Sequence, residues 1–257
     1  MIQLTEQELN NGRLQPETLS HAVHLMQTKG YVLFEGLLPA DLLNDLQIAF
    51  MARLQAHIQQ FPSNRGANRY QMHLPFESPF NDPQIITNPF ILPIVEALIG
   101  TDCICHYFAS DTALPGSEYQ TTHWDVQPLF PETKQNALPP YSLVLNIPLV
   151  DVHEENGPLE IWPDGSHLLH GHPAITEVAP LMHSETVLMP AGTLLLRDSR
   201  MWHRGTPNRS DAARPNIALI YSRPWLKLRY PPIDISQATF DALSKQAQHL
   251  FRMENIR

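Results

Sequence analysis

The chain has 257 residues, enough for one domain with a sizeable core, and its 43% hydrophobic and 17% charged residues match an ordinary soluble globular protein. A net charge of −9 with no clustered Lys and Arg excludes a nucleic-acid partner, because phosphate binding needs such clusters. No run of 18 apolar residues could span a membrane, and the start MIQLTEQELNNG lacks the basic and apolar parts of a secretory signal, so a cytoplasmic location is expected.

In chain order, the first hundred residues read as mostly helical. Thr5 with Glu8 has the form of a capping box and opens a short helix that Gly12 ends. Pro16 suits a helix start, and Leu19, Val23 and Met26 repeat at helical spacing until Gly30. YVLFEGLL is a short strand. From Pro39 to Phe61, Leu42, Leu43, Leu46, Phe50, Leu54 and Ile58 share one face of a long amphipathic helix. Asn88 and Pro89 begin another helix that ends at Gly100. Between these helices, residues 62–80 form a long segment read as a lid over a site, with Arg69, Tyr70 and His73 as its substrate contacts.

Beyond residue 100 the pattern changes to short strands separated by turns: 102–111, 119–126, 141–150, 158–162, 184–189, 193–197 and 215–223. A content of 24 prolines suits such a loop-rich β protein. A last amphipathic helix is expected over 236–252. No repeat, low-complexity tract or boundary divides the chain, so 1–257 is read as one domain: 1–100 helical support and lid, 101–226 a β core, then the C-terminal helix. Cys103 and Cys105, the only cysteines, are expected to be buried and reduced.

Thirteen histidines invite a search for a metal site. A facial iron site takes two imidazoles and one carboxylate and leaves three positions open. His123-Trp124-Asp125 can supply one imidazole and the carboxylate, although the tripeptide alone is a weak signal. His153/Glu155 and His183/Glu185 compete with it. The former pair lies in the polar turn VHEENG, and the latter stands only 18 residues before His203, too few for the strands of a barrel. His203 lies 78 residues beyond Asp125, a separation that opposite sheets of one barrel would require. Arg214 follows 11 residues later, at the start of an apolar strand. An inward guanidinium there is costly unless a carboxylate meets it, and its planar fork suits a dicarboxylate ligand.

Taken with PGSEYQTTHWD, ENGPLEIWPDGSH, WHRGTPN and RPNIALIYS, these residues make the chain resemble the phytanoyl-CoA dioxygenase-like family of iron(II)/2-oxoglutarate oxygenases, over about residues 20–226. The resemblance implies a mainly β fold with flanking helices: a double-stranded β-helix, or cupin-like jelly roll. It implies that His123, Asp125 and His203 bind Fe(II), and that Arg214 anchors the far carboxylate of 2-oxoglutarate. Gln120 and Asn146 would lie near that co-substrate. Leu143, Leu145 and Ile147 alternate with Val144 and Asn146, which sets Asn146 on the face opposite the leucines. Oxygen would be the second co-substrate, and a C–H bond of a small organic molecule would be hydroxylated with release of succinate and CO2. Halogenases on this scaffold have Ala or Gly in place of the acid, so Asp125 implies oxygenation.

Two other readings remain: a cupin-type metal enzyme that does not use 2-oxoglutarate (an isomerase or a direct dioxygenase), and a non-catalytic ligand-binding barrel. His167, His170 and His172 could also form a separate zinc site. No obligate protein partner is evident.

Overall fold

The structure, a computed structural model, describes residues 1–130, 138–169, 174–226 and 228–257. Local signals fix the N-terminal helices. Helix α1 (Glu6–Asn11) begins on the expected capping box, in which Thr5 and Glu8 each bond the other's backbone N–H. Helix α2 (Pro16–Lys29) starts at its proline and stops at Gly30. Gly30 has φ +83°, and a Cβ there would lie 2.7 Å from the His167 ring, so only glycine fits. Strand β1 (Tyr31–Phe34) follows. In α3 (Ala40–Gln60), Leu46, Phe50 and Leu54 recur every four residues as the buried stripe.

Strand β2 (Arg69–His73) lies within the segment read as a lid, and its backbone pairs antiparallel with β3 (Ile104–Ala113) as a sheet edge. Between them stand α4 (Pro83–Ile86) and α5 (Leu92–Ile99). Asn88 Oδ1 accepts from the N–H groups of Phe90 and Ile91, one turn earlier than the α-helix proper.

Then come β4 (Ser142–Pro148), β5 (Leu159–Ile161), the short α6 (Ile175–Val178), β6 (Glu185–Val187), β7 (Leu194–Asp198), β8 (His203–Gly205) and β9 (Asn216–Ser222). Residues 119–126, expected as a strand, make only one bridge, His123 to His203. After β10 (Asp234–Ile235), the expected C-terminal helix is two, α7 (Gln237–Ala242) and α8 (Lys245–Leu250), because Ser244 caps a fresh start by accepting from the Ala247 N–H. Strand β11 (Asn255–Ile256) pairs with β10.

Six strands form one antiparallel sheet in the order β1-β7-β4-β9-β3-β2, and β6-β5-β8 form a second. This mostly antiparallel core with flanking helices matches the expected double-stranded β-helix.

Side-chain alternation sorts the large sheet's two faces. Leu143, Leu145, Ile147, Leu194, Leu196, Ile217, Leu219 and Tyr221 join Met26, Phe50, Ile94 and Val95 of the helices in the main apolar core. Each such side chain contributes roughly 1.5–3 kcal/mol by leaving water. The opposite face presents Val144, Asn146, Arg197, Ala218 and Ile220 to a cavity. The helices thus stiffen the sheet from behind, and its polar residues project from the other side.

Candidate metal centre and cavity

His203 opens β8, next to β5 in the small sheet. The turn before it is clamped by Asp198, whose carboxylate accepts two bonds from the Arg200 guanidinium, at 2.9 and 2.7 Å, and a third from the Arg200 N–H. Ser199 O in the same turn accepts from the N–H groups of Asp125 and Val126. Together with the mutual backbone bonds of His123 and His203, this draws two segments distant in sequence into one corner.

There the donor atoms of His123, Asp125 and His203 lie within 4.8 Å of one another. His123 Nδ1 is 2.8 Å from Thr121 O, and His203 Nδ1 is 2.9 Å from Met201 O. A carbonyl can only accept, so both Nδ1 atoms carry a proton and Nε2 is the ring atom each histidine has left to offer a cation. Burial and the adjacent His203 push the His123 pKa down to about 4, so its imidazole is neutral at pH 7. For Asp125, burial would raise the carboxyl, but Arg197 and then His203 hold it well below the usual carboxylate range. A neutral imidazole, as at His123, and an ionised carboxylate are what a divalent ion requires.

Arg214 is buried in the same cavity. Its Nε donates to Gly157 O at 3.0 Å and its Nη1 to Asp111 O at 3.4 Å, which leaves no recorded bond at Nη2. Burial pushes this guanidinium down to about 10, Asp111 opposes the shift and Arg69 adds to it. A buried cation with only carbonyl partners at bonding distance suits an anionic ligand.

Gln120 lines the cavity and its Oε1 accepts from the Gly205 N–H, so its amide NH2 is the end left for a ligand. Asn146 lines it too, and its Oδ1 accepts from Arg197 Nε.

The residues expected on the lid are elsewhere. Arg69 is buried beneath β8, donating to Thr206 O and Glu118 O, and does not line the cavity. Tyr70 turns to the other side of β2 and meets the His57 ring edge-on. His73 lies outside the cavity lining, its ring edge-on to Tyr107. Arg65 and Gln71 line the cavity instead, with Tyr107, Asp111, Asn216 and Tyr230.

Arg197 was missed, although LLLRDSR carries the same signal as Arg214, a cation in an apolar strand. Among the described residues, no other group of three His, Cys, Asp or Glu converges. His183 pairs with Glu185 at the surface. His167 packs on Gly30, with Nε2 3.2 Å from Gln27 O, while His170 and His172 lie outside the described residues.

The model of the family described as phytanoyl-CoA dioxygenase matches residues 26–216, most of the chain. The chain belongs to the phytanoyl-CoA dioxygenase family. Its convergent His123, Asp125 and His203 donors fit the iron(II) that phytanoyl-CoA dioxygenases use together with 2-oxoglutarate.

Solved structures resemble it at low identity. The α-ketoglutarate-dependent epimerase SnoN from nogalamycin biosynthesis aligns with a TM-score of 0.64 at 23% identity, over 81% of this chain and 82% of SnoN. The carbocyclase SnoK of the same biosynthesis gives 0.64 at 18%, over 83% and 85%. AviO1 from Streptomyces viridochromogenes Tue57 gives 0.62 at 19%, over 81% and 96%. Another SnoN structure holds Fe3+, α-ketoglutarate and nogalamycin RO.

Proposed function

We propose that this phytanoyl-CoA dioxygenase family member hydroxylates a C–H bond of a small organic molecule, consuming 2-oxoglutarate and O2 and releasing succinate and CO2. One observation carries the reading: the His123, Asp125 and His203 donors converge within 4.8 Å in a cavity that also holds a buried Arg214 with an unoccupied nitrogen.

His123 Nε2, Asp125 Oδ1 and His203 Nε2 would hold the iron. Iron, when bound, supplies dioxygen activation coupled to oxidative decarboxylation of 2-oxoglutarate. Arg214 would bind the far carboxylate of the co-substrate, and Gln120 and Asn146, which line the same cavity, would offer it their amide NH2 groups. Val152, Leu159 and Met189 line the wall and limit water around the co-substrate's carbon chain.

The substrate enters between Arg65, Gln71, Tyr107 and Tyr230. The Tyr107 and Tyr230 rings lie 4.6 Å apart, an aromatic surface suited to a carbon skeleton. The protein acts in the cytoplasm without a nucleic-acid or obligate protein partner. Its net charge of −9 supports the former exclusion, and no helix among the described residues is long and apolar enough to cross a membrane.

Arg214 also bears on the alternatives: a cupin-type enzyme that does not use 2-oxoglutarate has no dicarboxylate for its open Nη2 to anchor. The test is to incubate the protein with Fe(II), ascorbate and 2-oxoglutarate in air and measure succinate, with and without Arg214→Ala. Succinate from the wild type and little from the variant is expected. Equal amounts from both would remove Arg214 as the anchor, and no succinate from the wild type would remove the co-substrate assignment. SnoN is an epimerase and SnoK a carbocyclase, so products from a substrate screen are read by mass for gain of oxygen, no change, or loss of hydrogen.

A further inference from the structure

We propose that Arg197 is a positioning residue that holds Asp125 as a one-oxygen metal ligand. This inference rests on the metal-site reading above.

The Arg197 guanidinium is buried and lines the same cavity as the Asp125 carboxylate. Nη2 donates to Asp125 Oδ2 at 2.6 Å, a short charge-assisted bond. Nε donates to Asn146 Oδ1 at 3.0 Å. Nη1 lies 3.4 Å from His203 Nδ1, the ring atom already committed to Met201 O. Because the guanidinium is planar, fixing Nε on Asn146 also fixes the direction in which Nη2 points. The other carboxylate oxygen, Oδ1, is left facing His203 Nε2 at 3.5 Å, on the metal side.

The anchoring elements differ in rigidity in the direction this role requires. Arg197 sits in β7, in register with Tyr31 on β1 and Val144 on β4, inside the six-stranded sheet. Asp125 belongs to no strand and is tied by its N–H to Ser199 O and by the neighbouring His123 bridge.

A carboxylate with both oxygens free can chelate a divalent ion through both and occupy an extra position. A facial site that must also accept a keto acid and O2 needs three positions open. Arg197 removes Oδ2 from competition and aims Oδ1. Asn146 thereby has a second task, since its oxygen orients the arginine while its NH2 stays free. Outer partners that orient a ligand typically account for 10–100-fold in metal affinity.

The test titrates Co(II), and Fe(II) under anaerobic conditions, into the full-length wild type and the Arg197→Met, Arg197→Lys and Asn146→Ala variants. Affinity is read by calorimetry and ligand geometry by Co(II) absorption. Circular dichroism and thermal melting report whether each variant is folded.

The wild type is expected to bind one ion. Arg197→Met should bind roughly 10–100-fold more weakly with an altered Co(II) spectrum. Arg197→Lys should recover part of the affinity, because a cation again meets Oδ2, and Asn146→Ala should fall between wild type and Arg197→Met. Should Arg197→Met not fold, the Lys and Asn146→Ala variants carry the comparison. In an Asp125→Ala background, Arg197→Met should cause no further loss.

A wild type that takes up neither ion would overturn the metal-site reading itself. A wild type that binds, alongside folded variants of unchanged affinity and spectrum, would overturn this inference alone. So would Arg197 variants that keep wild-type metal affinity but lose the thermal stabilisation by added 2-oxoglutarate, since Arg197 would then be an anion contact.

Discussion

Replacing Arg214 by Met keeps a long side chain and removes the guanidinium. Two of its nitrogens are already engaged with the Gly157 and Asp111 carbonyls, so the co-substrate can gain one charge-assisted bond at Nη2. Such a bond is worth roughly 1.5–3 kcal/mol, and about 1.4 kcal/mol is a factor of ten. The apparent KM for 2-oxoglutarate should therefore rise roughly 10- to 100-fold. Iron affinity should be unchanged, because Arg214 makes no recorded bond to His123, Asp125 or His203. Folding should suffer little, since burial already disfavours this cation and Arg69 adds to the cost. The assay follows succinate against 2-oxoglutarate concentration at saturating iron, with melting curves measured in parallel with and without 2-oxoglutarate. The wild type should melt higher when 2-oxoglutarate is added, and Arg214→Met should not. An active variant with an unshifted KM would refute the anchoring role.

Three further outcomes follow from the same geometry. His203→Ala removes one of three donors, so protein reconstituted anaerobically and desalted should carry almost no iron; near-stoichiometric iron would mean the ion sits elsewhere. In the metal-free protein His123 titrates at about 4, against 6.5 in the unfolded chain, so the unfolded state binds the extra proton between those values. Stability should be full above about pH 6.5 and decline as pH falls toward 4, by at most roughly 1.4 kcal/mol per pH unit from this group. Denaturant melts at several pH values should show that slope flattened in His123→Gln, and an unaltered slope would assign it to other groups. Gly205→Ala puts a methyl group 2.5 Å from the buried Arg69 guanidinium, so overpacking should cost roughly 1–3 kcal/mol in chemical unfolding. Wild-type stability in that variant would show that Arg69 can move aside.

Features that depend on near neighbours were legible in the sequence. Thr5 with Glu8, Pro16 and Gly30 set helix ends by local bonds and backbone geometry, and the structure has those ends. The alternation in SLVLNIP set Asn146 apart from its leucines, and Asn146 does line the cavity. The convergence of His123, Asp125 and His203 could be anticipated from the chemistry of the donor set and from the resemblance to a family of known architecture.

What was hidden depends on contacts made across the fold. RYQMH has the polar character of a loop and becomes β2 only because β3 offers a free edge. Arg69 was read as a lid contact from its aromatic and basic company, whereas the glycine at 205 leaves room for it beneath β8. His-x-Asp was expected on a strand, yet the segment makes one bridge, with further bonds joining Gln120 to Gly205 and Asp125 and Val126 to the Ser199 carbonyl. Arg197 could have been found, because a charged residue after three leucines demands a partner just as Arg214 does.

The lone bridge between His123 and His203 has a consequence for the folded chain as a whole. It lies at the centre of a seam between two stretches 80 residues apart, with Gln120 bonded to Gly205 on one side and Asp125 and Val126 to Ser199 O on the other, and the ion-binding atoms flank it. A cation gripping both sides would act as a rivet through that seam, cross-linking a long loop as a disulfide does. Stripping the metal should therefore loosen the small sheet before the helix-backed one, and amide exchange in β8 should quicken first.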